Sequence, residues 1–332
     1  MRPSWHAKGE GQGGVKGSVY NAAMLNVLAV CLPFFLLVAC GYAAGRGRWV
    51  PLDALPGLNR WVLFFALPAL LFQLGRRLAV QGGTGGVATV YALCAAGLVA
   101  LTWWLARRAG RDRRDAGFAA LVTSFPNTGF MGVPLISSLL GPDAAAPVAA
   151  TIVIDLCLTS TLCLALAGSG SWRQAMRGSL TNPLPWAVAA GWLWGWASGG
   201  APLPGVLESS VNLLGQAASP TALFALGLML WRVHQEEGAI VGALPLRLAA
   251  LKLVLHPVWV GAVAWAWASA VGGPSPLTVL VLVAALPCAA NVALLAEVRG
   301  ADTHLVSRAI LLSTALAPLT LPLWAWGLGL GA

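Results

Sequence analysis

The chain has 332 residues, of which 58% are apolar and 9% are charged, and its formal net charge is +9. A soluble domain carries roughly 25% charged residues, so this composition excludes an ordinary soluble globule. The mean hydropathy of +0.77 indicates a membrane protein. Ten spans of about 20 residues each leave room for short loops only, so we expect one membrane domain.

Apolar runs bounded by Gly, Pro or charge predict ten membrane-spanning helices in an all-α protein. The runs are 24–44, 57–75, 86–106, 116–140, 146–168, 183–199, 206–231, 246–270, 276–296 and 303–328. Residues 1–23 are polar and predict an unstructured N-terminal tail. The first five helices occupy 24–168 and the last five 183–332, with a cytoplasmic linker at 169–182.

Basic residues separate the two sides of the predicted bundle. Thirteen Lys and Arg lie in the loops of one side and five on the other. The positive-inside rule makes the first side cytoplasmic, which places both termini outside the plasma membrane, the inner membrane of a bacterium. Because the arginines lie between apolar runs, they predict contact with anionic lipid and not with nucleic acid.

The two halves share a short internal repeat. Pro68-Ala-Leu-Leu-Phe-Gln-Leu-Gly75 in span 2 matches Pro220-Thr-Ala-Leu-Phe-Ala-Leu-Gly227 in span 7, at an offset of 152 (220 − 68). In span 4, Pro126 corresponds to Pro287 of span 9 at an offset of 161 (287 − 126). Five spans per half is an odd number, so the second half enters from the opposite side. The repeats are therefore predicted to be inverted, as in many secondary transporters.

Span 4 contains a segment that a continuous helix disfavours. It reads Pro126-Asn127-Thr128-Gly129 and has a further proline, Pro134. Proline cannot donate a backbone hydrogen bond, and glycine loosens the helix. In hydrocarbon, freed backbone groups are tolerated only where they face protein or a water-filled cavity. We therefore expect an interrupted helix here.

Span 9 repeats this pattern with Pro287 followed by Asn291. The second half of an interrupted helix begins with unpaired N–H groups and a positive dipole end, which attract anions. Asn127 and Asn291 add directed donors without a full charge at mid-membrane. These residues predict an anion site.

Asp155 is the acid deep within an apolar run, in span 5. An ionisable residue inside the membrane is a functional candidate by default. It is predicted either to carry a coupling proton or cation, or to fix helix packing through hydrogen bonds to Thr151 or Thr159. Lys252 in span 8 is expected to extend towards the cytoplasmic surface, with a buried pairing to Asp155 as the alternative.

Several stretches resemble the auxin efflux carrier family. They are Leu58-Asn59-Arg60 with Leu67-Pro68 to Phe72, Pro126-Asn127-Thr128 with Met131-Gly132-Val133-Pro134, and Lys252 to His256-Pro257. The resemblance implies inverted five-helix repeats, broken crossover helices 4 and 9, elevator-like alternating access and an organic anion substrate. Within it, Asn127 matches the crossover asparagine that contacts the substrate carboxylate, and Pro126 and Pro287 match the crossover prolines. It also implies a homodimer.

The predicted function is a secondary transporter, or permease, of a small carboxylate such as malonate, malate or an auxin-like acid. The predicted substrate-binding residues are Pro126, Asn127, Thr128, Gly129, Pro287 and Asn291. One alternative is a sodium-coupled carrier of the bile acid type with the same general architecture. Another is an intramembrane protein that does not transport. An enzyme is disfavoured because motifs such as His-Glu-x-x-His and Gly-x-Ser-x-Gly are missing, and no cofactor or metal is predicted.

Overall fold

A computed structural model describes residues 12–81, 84–168, 182–237, 242–271 and 277–330. Within these ranges the fold is all-helical, with a single isolated β-bridge. The α-helices are α1 (Gln12–Arg46), α2 (Leu55–Trp61), α3 (Leu67–Gln81), α4 (Gly85–Arg108), α5 (Arg113–Ser124), α6 (Val133–Leu140), α7 (Ala145–Ile154), α8 (Ser160–Leu166), α9 (Pro183–Ala197), α10 (Gly205–Glu237), α11 (Ala243–Ala250), α12 (His256–Val271), α13 (Leu277–Ala285), α14 (Asn291–Arg299) and α15 (Thr303–Gly327).

Four π-helical segments join some of these helices into longer rods. They are Val62–Ala66, Thr128–Gly132, Asp155–Thr159 and Leu251–Leu255. Short 3₁₀ turns at Leu52–Ala54 and Pro142–Ala144 begin two of the rods. Because a π turn shifts backbone hydrogen bonding from i→i+4 to i→i+5, it leaves local backbone groups free for other partners.

Seven helical rods in the described residues are long and apolar enough to cross a membrane. They are Leu25–Arg46, Leu52–Gln81, Gly85–Arg108, Pro142–Leu166, Gly205–Gln235, Ala243–Ala270 and Thr303–Gly327. Large apolar side chains such as Trp196 and Leu319 are each 67% exposed on the surface, as expected for contact with lipid tails. The protein is therefore a multi-pass membrane protein.

The other three predicted spans have shorter helices. Predicted span 6 contains α9, whose 15 residues fall below the usual crossing length. Predicted spans 4 and 9 are each divided in two, α5 from α6 and α13 from α14. The interruptions lie at the prolines that the sequence indicates.

The first helix begins within the segment 1–23 that the sequence predicts to be an unstructured tail. α1 begins at Gln12, well before the predicted first span. The segment 12–23 contains no proline, so a helix formed by the apolar run after it can extend backwards, although Gly13, Gly14 and Gly17 lower its helix propensity. Residues 1–11 and most of the predicted linker at 169–182 lie outside the described residues.

Two pairs of helices pack at very close range through glycines. A side chain at Gly41 of α1 would collide with the Phe224 carbonyl of α10, and one at Gly191 of α9 would collide with the Phe72 carbonyl of α3. Phe72 and Phe224 are matched positions of the sequence repeat. The two copies of the repeat therefore make equivalent contacts, each with the first helix of the other half.

The first helix group comprises α1, α2, α3, α9 and α10. The remaining helices form a second group around the two interrupted rods. α5 packs against α4 and α8, α13 packs against α12 and α15, and α11 packs against α15. The most buried apolar side chains of this group include Leu121, Leu135, Leu253, Leu282 and Ile310. The interruptions lie in its interior, where it faces α3 and α10 of the first group.

Candidate functional site at the crossing of two interrupted helices

The two interrupted rods pair with each other at their breaks. The Asn127 N–H donates to the Pro287 carbonyl at 2.9 Å, and the Ala289 N–H donates to the Phe125 carbonyl at 3.1 Å. These bonds form an antiparallel bridge in the interior of the protein. Backbone groups released by the interruptions thus satisfy one another.

Pro126 fits this bridge for a specific reason. Pro126 lies opposite Cys288, and the two bridge hydrogen bonds come from the residues on either side of them. A residue at such a non-hydrogen-bonded position needs no N–H, so proline fits there. Prolines Pro33, Pro220 and Pro318 by contrast lie inside continuous helices.

The two interrupted rods run in opposite directions. The beginning of α5 contacts the loop after α14, since Arg114 donates to the Gly300 carbonyl at 3.0 Å and Asp115 accepts from the Asp302 N–H at 3.1 Å. Arg111 lies between both carboxylates, at 3.7 Å from Asp115 and 3.6 Å from Asp302. One rod therefore begins at the face where the other ends.

Polar side chains gather just after the two breaks. Asn127 and Thr128 are each 2% exposed. The Oδ1 atoms of Asn127 and Asn291 and the Oγ1 atom of Thr128 are buried and have no hydrogen-bond partner among the described residues. Such orphaned atoms in a membrane interior call for an additional partner, such as water or a bound solute.

These side chains border a cavity. Including the space at its mouth, the cavity has a volume of about 400 Å³. Six of the seven predicted site residues line it, namely Pro126, Asn127, Thr128, Gly129, Asn291 and Asp155. Its other walls are mainly apolar and include Leu67, Leu71 and Leu184 from the first helix group. Pro287 does not line it; its carbonyl instead holds the Asn127 backbone.

A second cavity of about 960 Å³, its open mouth included, adjoins the first. Phe125, Leu156 and Asn291 line both cavities, while Asn182 and Arg299 lie at the far end of the second. It therefore extends from the crossing towards the face that holds the α5–α14 contacts. This arrangement gives the crossing a route to one side of the protein.

Asp155 is held by two hydroxyl groups. It is 2% exposed, and the Tyr91 hydroxyl lies 3.1 Å from both of its carboxylate oxygens. Thr159 donates to Oδ1 at 3.1 Å, whereas the Thr151 hydroxyl turns to the Val148 carbonyl. Of the two predicted threonine neighbours, Thr159 alone bonds Asp155.

Lys252 departs from its predicted position. It does not reach the surface, since it is fully buried at 0% exposure. Its ammonium donates to the Ala284 carbonyl at 2.7 Å and lies 3.1 Å from Nδ1 of His256. Among the described residues these are its hydrogen-bond partners. Lys252 is therefore buried, as the alternative predicts, but it makes no hydrogen bond or ion pair with Asp155. The Ala284 carbonyl at the end of α13 stabilises the buried ammonium. The position of Lys252 along its predicted span does not indicate this partner.

Tyr91 is the site residue that sequence reasoning missed. A tyrosine in an apolar span is indistinguishable from a packing residue by composition. One signal was present: Tyr91 and Lys252 are separated by 161 residues (252 − 91), the offset that also relates Pro126 to Pro287. The repeat thus places both polar side chains at matched positions beside the crossing.

Comparison with known proteins identifies the family of the chain. The model of a family described as "Membrane transport protein" matches residues 26–176 and 170–325. The chain belongs to this family, that of the auxin efflux carriers. It is therefore a membrane transporter.

Three relatives show how far the similarity extends. A "Putative malonate transporter" of Rhizobium meliloti (strain 1021) is 32% identical over 90% of this chain and 94% of its own length. The "Uncharacterized transporter YfdV" of Escherichia coli (strain K12) is 25% identical over 89% of this chain and 95% of its own. A "Probable auxin efflux carrier component 9" of Oryza sativa subsp. japonica is 27% identical over 42% of this chain and 37% of its own.

Proposed function

We propose that this protein is a secondary transporter that moves a small carboxylate across the membrane through the crossing of its interrupted helices. The observation that carries the proposal is the set of buried, unpartnered oxygens of Asn127, Thr128 and Asn291 beside the cavity. The name of the relative from Rhizobium meliloti makes malonate the first substrate to test.

The crossing supplies donors for a carboxylate without a buried positive charge in contact with it. The helical segments that begin at Thr128 and at Asn291 direct their first N–H groups and positive dipole ends towards the crossing. Rotation of a side-chain amide by about 180° exchanges the positions of its oxygen, which accepts, and its NH₂ group, which supplies two donors. Asn127 and Asn291 can therefore donate to a carboxylate and accept from its protonated form.

Asp155 is our candidate for proton coupling. An ionised carboxylate beside the cavity repels an anionic substrate, and a protonated one does not. Uptake of a proton by Asp155 thus favours substrate binding, and its release favours substrate departure. A proton gradient then drives the carboxylate through the cycle.

The proposed architecture is ten helices in two inverted repeats within the plasma membrane. It is supported by the equivalent contacts of Phe72 and Phe224 and by the antiparallel course of the interrupted rods. The first helix group is the proposed scaffold, and the second is the part that moves in an elevator-like cycle. Positive-inside counting places both termini outside, which makes the second cavity face the cytoplasm. The homodimer stays a prediction.

Ligand-induced thermal stabilisation of the purified protein tests the proposed site. Malonate, malate and indole-3-acetate are each added to the wild type and to the Asn127→Ala variant. We expect at least one of the acids to raise the unfolding temperature of the wild type in a saturable way, because a ligand that binds the folded state stabilises it. The Asn127→Ala variant should fold but lose this response.

The matched control is Asn212→Ala. Asn212 lies beside Glu208 in a separate groove, outside the cavity at the crossing. This variant should respond to the acids as the wild type does. An Asn127→Ala variant that responds normally would contradict the assignment of the site.

A further inference from the structure

Lys252 has no role in the proposed substrate site, yet it is a lysine with 0% exposure inside a membrane protein. A charged side chain near mid-membrane is costly unless a partner offsets the cost. Its ammonium is anchored by the Ala284 carbonyl at 2.7 Å and by His256 Nδ1 at 3.1 Å. Both partners lie close to the crossing, so they indicate a role for the ammonium there.

Ala284 belongs to the last turn of α13, which ends at Ala285 just before the crossing. The last carbonyls of a helix have no intrahelical partners, and together they carry a negative dipole end. Most helices end near water, but α13 ends in the interior. Lys252 thus places a positive charge on a buried negative helix end.

The local backbone around Lys252 fits this task. Lys252 lies in the π-helical segment Leu251–Leu255, where the widened turn changes the direction of side chains relative to a regular helix. The Leu253 carbonyl in this segment accepts from Trp324 at 2.9 Å, so α15 stabilises the turn. His256 begins the next helix and is 1% exposed. The ammonium is therefore held by Ala284 of α13 and by His256, while α15 stabilises the turn that contains Lys252.

We propose that the Lys252 ammonium is a tethered cation that fills a cation site at the end of α13 and thereby positions the crossing. Removal of the side chain should leave a vacancy that a small free cation with N–H donors can occupy. Lys252 is then a positioning residue, since it acts on the crossing through Ala284 and does not contact the substrate. The transport part of this inference rests on the proposed function; its stability part does not.

The test compares two variants of the full-length protein. Lys252→Ala removes the charge and opens a vacancy, whereas Lys252→Met removes the charge and keeps the space filled. Thermal unfolding of each is measured with increasing methylammonium, which has N–H donors, or choline, which has none. Uptake of malonate into vesicles is measured under the same conditions.

We expect Lys252→Ala to take up malonate about tenfold more slowly than the wild type, the effect of a buried acceptor left without its donor. Methylammonium should restore its uptake and raise its unfolding temperature, both with saturation. Choline should do neither, and Lys252→Met should not respond to either cation. If Lys252→Ala is obtained folded only when cells are grown with methylammonium, that yield difference supports the proposal as well.

Three results would overturn the proposal. The first is a Lys252→Ala variant whose unfolding temperature does not respond to methylammonium, or whose yield is equally low with and without it. The second is an equal response in Lys252→Met. The third is rescue by choline. Wild-type protein that transports no malonate, together with a Lys252→Ala variant stabilised by methylammonium, would refute malonate as the substrate and leave the cation site at the end of α13 supported.

Discussion

Asp155 faces the cavity at the crossing and is held by Tyr91 and Thr159. A purely structural carboxylate needs its hydrogen bonds but no access to a solute. Asp155 has hydrogen bonds and also access to a solute, because it lines the same cavity as Asn127. This combination favours the proton-coupling role over the packing role that the sequence also allowed.

Asp155→Asn should uncouple uptake from the proton gradient. The amide keeps the size of the side chain but cannot gain or lose a proton, so an imposed pH gradient should no longer accelerate uptake. Malonate flux into vesicles is measured with and without the gradient. Asp143→Asn is the control, because Asp143 bonds Gln81 at an exposed position. An unchanged response in Asp155→Asn would refute the coupling role.

Tyr91→Phe should destabilise the protein. The substitution removes a hydroxyl that bonds a buried carboxylate, at an expected cost of about 1–3 kcal/mol. The variant should therefore unfold at a lower temperature. Tyr42→Phe is the comparison, because Tyr42 packs its ring against Trp231 with the centroids 5.4 Å apart, a contact that phenylalanine keeps. Equal unfolding temperatures for both variants would argue against the Tyr91–Asp155 bond.

Sequence reasoning was more successful for some residues of the site than for others. The sequence indicates Asn127 and Asn291 because an amide that follows a proline within a few residues is conspicuous in an apolar run, and both line the cavity. Tyr91 and the burial of Lys252 depend on groups far away in the chain, namely Asp155 and the Ala284 carbonyl. Local patterns do not contain such distant partners.

Each interruption is stabilised by backbone hydrogen bonds from the other interrupted rod. Proline alone does not break a membrane helix here, since α1 and α15 continue through theirs. At Pro126 and Pro287 the chain leaves the helix because the other break supplies its hydrogen bonds. The four π-helical segments were not predicted, since they have no compositional signature.

A disulfide between positions 126 and 288 tests the crossing directly. Residues at a non-hydrogen-bonded antiparallel pair have Cα atoms about 4.5 Å apart, close enough for a disulfide. We expect Pro126→Cys to form a disulfide with the native Cys288 on mild oxidation. The other cysteines, Cys31, Cys40, Cys94, Cys157 and Cys163, are first replaced by serine or alanine. Mass spectrometry of unreduced peptides detects the link.

Ile136→Cys in the same background is the control for this experiment. Ile136 lies in α6, beyond the break, and it should not pair with Cys288. Efficient linkage from position 136 together with none from position 126 would show that the two rods do not cross as described.

Close glycine contacts should be essential for the first helix group. Gly227→Val places a branched side chain against the Val38 carbonyl of α1, and overpacking of this kind costs about 1–3 kcal/mol or more. We expect a marked loss of folded protein in detergent, measured by size-exclusion chromatography. Gly205→Ala should be tolerated, because no atom lies within 4 Å of the added carbon. Equal recovery of both variants would contradict the close packing.

At the scale of the whole molecule, hydropathy identified most of the helical rods. Seven rods coincide with predicted spans. The predicted spans 4 and 9 do not form single long helices because their interruptions cross and pair in the interior. Hydropathy could not predict how the helices divide into two groups, since Gly41, Phe224 and their counterparts meet only after folding.

The two helix groups suggest how the molecule works as a transporter. The crossing and Asp155 belong to the second group, while Leu67, Leu71 and Leu184 of the first group complete the cavity. In the proposed elevator-like cycle, movement of the second group against the first carries the site with it and exposes the substrate to each side of the membrane in turn.

Carboxylate transport through the crossing is tested by uptake of radiolabelled malonate into vesicles that contain the purified wild type or the Asn127→Ala variant. A pH gradient, a sodium gradient and a membrane potential are imposed one at a time. We expect saturable uptake by the wild type, accelerated by the pH gradient, and its loss in Asn127→Ala. Uptake that is equal in both proteins would contradict the role of the crossing, and the absence of uptake under every gradient would contradict malonate as the substrate.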